Sequence, residues 1–252
     1  MIHYDSHDNN GNLPIQGDLN NNNIPDYIES VAEIAEQTRD FLINTMGYLP
    51  EPDDGDGIYD IYVKNQNVWG LNAVENINTG ANYTVIDNDY EFYSNYCSDP
   101  IDKMKVSVAH EFFHAIQRSY RPNPITDHDF LLEMTSMWIE DIIVDECNDY
   151  LSFTSDSDGI FKNPTQLFDS SESSSEDDYG YSMALFGHYL SRIVDNEGML
   201  DQSNSTIIRK IWENYSLGIN ARDAIIETIE TNFNDSFSKV WTEFISSNMF
   251  CG

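Results

Sequence analysis

Two histidines and a glutamate, His110, Glu111 and His114, lie inside the apolar run Val108-Ala109-His110-Glu111-Phe112-Phe113-His114-Ala115-Ile116-Gln117, and no other stretch restricts the chain as much. Residues four apart on an α-helix share a face, so His110 and His114 would present both imidazoles to one ion. Glu111 projects beside them, able to act on a water at that ion without being a ligand, which is what a zinc hydrolase needs of its general base. The spacing predicts a helix over residues 102–119 that is apolar on most sides. Two histidines in such a helix are hard to explain as solvated surface.

At 252 residues the chain is long enough for one sizeable core, or two small ones sharing a cleft. Its 44 acidic and 12 basic residues give a formal charge of −32, which opposes nucleic acid or an anionic membrane surface as partner. So much negative charge repels itself; either bound calcium offsets part of it, or it serves solubility or adaptation to salt. Apolar runs are far too short for a membrane span, so no membrane insertion is expected. The start, Met1-Ile2-His3-Tyr4-Asp5, has no basic region followed by an apolar one, so no signal peptide is expected in this sequence. A cytoplasmic protein and a mature or truncated form of a secreted one both fit. Cys97, Cys147 and Cys251 allow one disulfide in three pairings, or stay as buried thiols.

Between residues 18 and 29, Asp18, Asn20, Asn22, Asp26 and Glu29 occupy positions 1, 3, 5, 9 and 12 of a twelve-residue loop, the EF-hand pattern for calcium. Asn23 stands at position 6, where a left-handed backbone is needed. An ordinary helix start, with Pro25 in its first turn and Asp26 and Glu29 complementing the dipole, fits as well. Apolar spacing predicts a helix from about Pro25 to Met46, ended by Gly47. Asp54, Asp56 and Asp60 then form a shorter oxygen-rich loop, read either as a second calcium site or as a tight turn. Three strands follow, near 58–63, 69–74 and 82–86. A second buried helix is expected over 130–146, a mobile acidic loop over 154–178, and helices near 182–194, 205–215, 221–231 and 237–248.

A catalytic zinc needs a third protein ligand. Eighteen residues separate His114 from Glu133, enough for a turn and a returning helix that brings this carboxylate back beside the histidines. A carboxylate on an apolar helix needs a partner or an ion. His128, in the intervening turn, is the weaker candidate. Glu140, seven positions beyond Glu133, shares its helix face and is read as orienting a ligand histidine through its other ring nitrogen. Tyr181 is the donor chosen for the developing oxyanion, from a group that also holds Tyr179 and His188.

Taken together, Asp18 to Glu29, Val85-Ile86-Asp87-Asn88-Asp89-Tyr90, Val108 to Gln117, Met137-Trp138-Ile139-Glu140-Asp141, Tyr179-Gly180-Tyr181 and Phe186-Gly187-His188-Tyr189-Leu190 resemble a family of bacterial zinc metalloproteases. That family belongs to the gluzincin branch of the zincins and is known mostly from secreted multidomain proteins of myxobacteria and related organisms. The resemblance implies His110, His114 and Glu133 as zinc ligands, Glu111 as base, and an extracellular location. The eighteen-residue gap and the Glu seven positions later resemble the gluzincin aminopeptidase pattern. Met134 departs from it, standing after Glu133 where Gly or Ala is frequent, as does Leu132, where Asn is frequent.

The resulting expectation is an α+β, zincin-like fold, with a small mixed sheet over an active-site helix and a mainly helical C-terminal part. Residues 1–252 would form one catalytic unit, with 1–121 carrying sheet, calcium loops and active-site helix, and 122–252 the third ligand. The expected protein is a monomeric, calcium-stabilised zinc endopeptidase acting on peptides or proteins. The alternatives are a non-catalytic, calcium-stabilised binding or surface module with a relic site, and a hydrolase of some non-peptide amide.

Overall fold

The structure is a computed structural model and describes residues 1–7, 11–91, 94, 96–124, 129–155, 159–163, 165–169 and 176–249. The chain is α+β. It divides into two compact units, one made of 1–123 and 139–148, the other of 124–138 and 149–252. The first boundary falls two residues from the one expected, but residues 139–148 belong to the first unit.

In the first unit, strands β1 (Ile2–Tyr4), β2 (Ile61–Val63), β3 (Gly70–Asn76) and β4 (Ala81–Ile86) make one sheet in the order β1-β2-β4-β3. The first three in that order run parallel, and β3 closes the edge antiparallel to β4. Three of these strands are legible as alternation; β1 is too short for a pattern and exists because Ile2, His3 and Tyr4 pair with Ile61, Tyr62 and Val63. Helix α1 (Asp26–Asp40) starts after Pro25, has Asp26 and Glu29 in its first turn, and continues as a π-helical turn through Phe41–Thr45. Helix α2 (Pro100–Tyr120) is capped by Asp99, whose side chain accepts from the Ile101 amide at 2.8 Å. Pro122 pushes Arg121 out of helical conformation and ends it.

Tyr27, Ile28, Val31 and Ile34 of α1, Ile61 and Val63 of β2, Ile86 of β4, Tyr90, and Met104 and Val108 of α2 form one core. Val85 and Ile86 end β4, and residues 87–90 turn the chain away from it. The Asp87 carboxylate accepts from the amides of Gln66 and Tyr90, both at 2.8 Å, and its carbonyl accepts from the Tyr27 hydroxyl at 2.6 Å. Cys97 and Cys147 form a disulfide fifty residues apart, which leaves Cys251 as the odd cysteine. It joins the segment before α2 to the segment after helix α3 (Asp129–Ile143), packed with Val106 and Val144. Closing a loop of that length stabilises by about 4 kcal/mol in the chain-entropy picture.

The second unit is helical. It holds the first part of α3 and the helices α4 (Tyr150–Thr154), α5 (Glu176–Ser182), α6 (Ala184–Tyr189), α7 (Ile207–Tyr215), α8 (Ala221–Glu227) and α9 (Phe237–Met249). Two buried indoles tie it together: Trp138 donates to Ser191 at 3.1 Å and Trp212 to Thr135 at 3.3 Å. Gly187 lies against the Trp138 side chain, and Phe168, Phe186, Phe237, Trp241 and Phe244 stack around each other. The acidic loop expected over 154–178 lies partly outside the described residues; of the rest, Gly159 to Lys162 forms turns and α5 begins at Glu176. No described helix is long and apolar enough to cross a membrane.

Candidate metal centre

Helix α2 buries almost every side chain from Met104 to Gln117, because it packs on the sheet and on α1. His110 and Glu111 are therefore inside, 8% and 7% exposed, and His114 is half-buried. The Nδ1 of His110 bonds Oε1 of Glu140 on α3, and Nδ1 of His114 lies 2.9 Å from Oε1 of Gln117, one turn further along α2. A carboxylate accepts, so the Glu140 contact calls for a proton on the Nδ1 of His110, and the Gln117 oxygen calls for the same at His114 when the amide is turned as in this contact. The two Nε2 atoms lie 3.0 Å apart, within hydrogen-bond reach of each other. One ring can donate to the other across this distance, and a cation held by both nitrogens would replace that hydrogen bond. Nitrogens bound to one zinc, each at about 2.0–2.1 Å, must lie within about 4 Å of one another, and this pair does. Nitrogen donors with an oxygen acceptor behind each ring suit zinc.

Glu140 is 3% exposed. It contacts His110, one of the two histidines that the sequence offers it, and Gln117, three residues after His114, stands on the same helical face as that histidine. Glu133 stands on α3 seven positions before Glu140, about two turns or 10 Å along the axis, and projects from the same face. In its own unit Glu133 is wedged against Gly180 of α5: a Cβ there would come within 2.8 Å of the Glu133 Cβ and 3.3 Å of the Phe130 Cα. That close approach explains the glycine in Tyr179-Gly180-Tyr181. Tyr181 packs edge-on against Phe153, ring centroids 4.8 Å apart. His188 has Gln202 at 2.8 Å and the Tyr150 ring beside it, the setting of a structural histidine. His128 lies outside the described residues.

The Glu111 carboxylate acts on two phenols. Burial above all, with a contribution from the Glu111 charge, holds Tyr59 and Tyr90 well above the usual tyrosine range, so both remain neutral. The Tyr59 hydroxyl donates to Asn82 at 2.8 Å.

The five oxygen positions of the first loop are linked to one another. Asp18 accepts from the amides of Asn22 and Asn23, and Asp26 from that of Leu19. The side-chain amides of Asn20 and Asn22 reach Glu29 at 2.9 and 2.7 Å. Asn23 takes φ +70°, the left-handed backbone expected at position 6. In the second loop Asp53 joins Asp54 and Asp56, with carboxylate oxygens within 4.8 Å of each other. Amides of Gly55 and Gly57 hold the Asp53 carboxyl below the usual range. Asp60, expected there, instead bonds His3 Nε2 at 2.8 Å, because it leads into β2 beside the parallel β1. No protein-family model matches the chain, and no curated protein is detectably similar to it.

Proposed function

We propose that this chain is a zincin-like, zinc-dependent peptidase stabilised by calcium. The observation that supports it most is the pair of histidine Nε2 atoms 3.0 Å apart, with both Nδ1 atoms committed to acceptors. His110 and His114 would hold the zinc, and Glu133 is the third ligand we assign. α3 is one continuous helix that already delivers Glu140 to His110, and Glu133 projects from the same face. When bound, zinc brings the pKa of a water toward neutrality and polarises a carbonyl. The Glu111 carboxylate would take up a proton from the attacking water and release it to the leaving amine. Glu140 and Gln117 keep each imidazole in the Nδ1–H tautomer and fix its plane. All these residues come from one chain, so a monomer suffices.

Calcium is assigned to Asp18, Asn20, Asn22, Asp26 and Glu29, and to the Asp53, Asp54 and Asp56 group. Rotating the amide of Asn20 or Asn22 by 180° presents an oxygen to the Glu29 carboxylate, an orientation only a cation between them would favour. The Cys97–Cys147 disulfide supports an oxidising, extracellular setting.

The test is zinc content by elemental analysis together with cleavage of an unbiased peptide library. We expect one zinc per chain, and cleavage abolished by a chelator and restored by zinc. A protein that binds zinc and cleaves no peptide would leave the binding module as the better reading. Glu140→Gln is expected to weaken zinc binding by about 10–100-fold, measured by competition with a chromophoric chelator. Unchanged affinity would remove Glu140 from the site.

A further inference from the structure

We infer that Gly70 is a positioning residue for the Glu111 carboxylate, its missing side chain being the space that the carboxylate fills. Gly70 opens the edge strand β3 opposite Ile86 of β4. A Cβ there would lie 2.7 Å from Glu111 Cγ, 2.8 Å from Ser107 Oγ and 3.1 Å from Glu111 Oε1. Carbon atoms pack at about 3.5–4.0 Å, so Ala could enter only by moving one of these groups.

The strand cannot easily retreat. The Trp69 carbonyl, in the peptide bond that enters Gly70, accepts from the Ser107 hydroxyl at 2.7 Å and from the Asp87 amide at 3.2 Å. The first bond ties β3 to α2, the second to the end of β4. Ser107 is held by the same bond, and two of the three close atoms, the nearest included, belong to the Glu111 side chain, so a Cβ at this position presses chiefly on Glu111. Backbone conformation does not demand a glycine here, since Gly70 is not among the glycines with positive φ. Glycine weakens a strand and often marks a close approach by another group, and at Gly70 that group is a carboxylate.

The catalytic part of this inference rests on Glu111 being the base proposed above; the steric part does not. The full-length Gly70→Ala, Glu111→Ala and double variants separate the two. Overpacking by Gly70→Ala should lower Tm by about 3–6 °C in the parent, and by no more than half as much where Glu111→Ala has removed Cγ and the carboxylate. On a peptide the parent cleaves, Gly70→Ala should reduce kcat by about 10–100-fold, with KM within about threefold and zinc still one per chain, as expected when the base is displaced by about an ångström. An equal Tm loss in both backgrounds, or an unchanged kcat, would overturn the inference. A parent that cleaves no peptide would remove the proposed activity instead, and the Tm comparison would still decide whether Gly70 makes room for Glu111.

Discussion

Glu111→Gln is expected to retain one zinc per chain and to lower kcat/KM on a cleavable peptide by about 10²–10⁴-fold. The substitution is nearly isosteric, so the close approach of residue 111 to Gly70 and the packing of α2 should survive. What it removes is an oxygen that takes a proton. Gln holds the same place and cannot accept one, so metal binding and hydrolysis should separate. Equal activity in the variant would dismiss Glu111 as the base.

Glu133→Ala should weaken zinc binding by more than the about 10–100-fold expected when an orienting partner such as Glu140 is lost. The difference follows from where each carboxylate acts. Glu140 meets His110 at Nδ1, the nitrogen that would not bind the proposed zinc, whereas Glu133 is assigned a direct bond. His110→Ala and His114→Ala should be at least as damaging as Glu133→Ala, and His128→Ala should change little. If His128→Ala abolished binding while Glu133→Ala did not, the third ligand would have to be reassigned.

Much of this site was legible because its spacing is helical. His110 and His114 share a face of α2, and the gap to Glu133 and Glu140 fits a returning helix, so a contact of Glu140 with one of the two histidines could be expected, while the choice of His110 needed the structure. Gln117 obeys the same rule and was overlooked because an amide carries no metal signature. Gly70 could not have been found, since its meaning lies in a contact between an edge strand and a helix 41 residues away in the chain. Asp60 misled for a related reason: loop spacing groups it with Asp54 and Asp56, but parallel pairing of β1 with β2 sets it beside His3. Within the fold, α1, α2, α3 and three strands follow their apolar patterns. β1 and α4 are too short to have one, and they depend on tertiary contacts.

The tautomers of His110 and His114 test the proposed centre most directly. Long-range ¹H–¹⁵N correlation spectra of the full chain, recorded as zinc is added, read both ring nitrogens of each residue. The Nδ1 contacts with Glu140 and Gln117 predict Nδ1–H signals for both rings, with both Nε2 resonances shifting together and saturating at one zinc per chain. Nε2–H tautomers, or Nε2 resonances that ignore zinc, would contradict it.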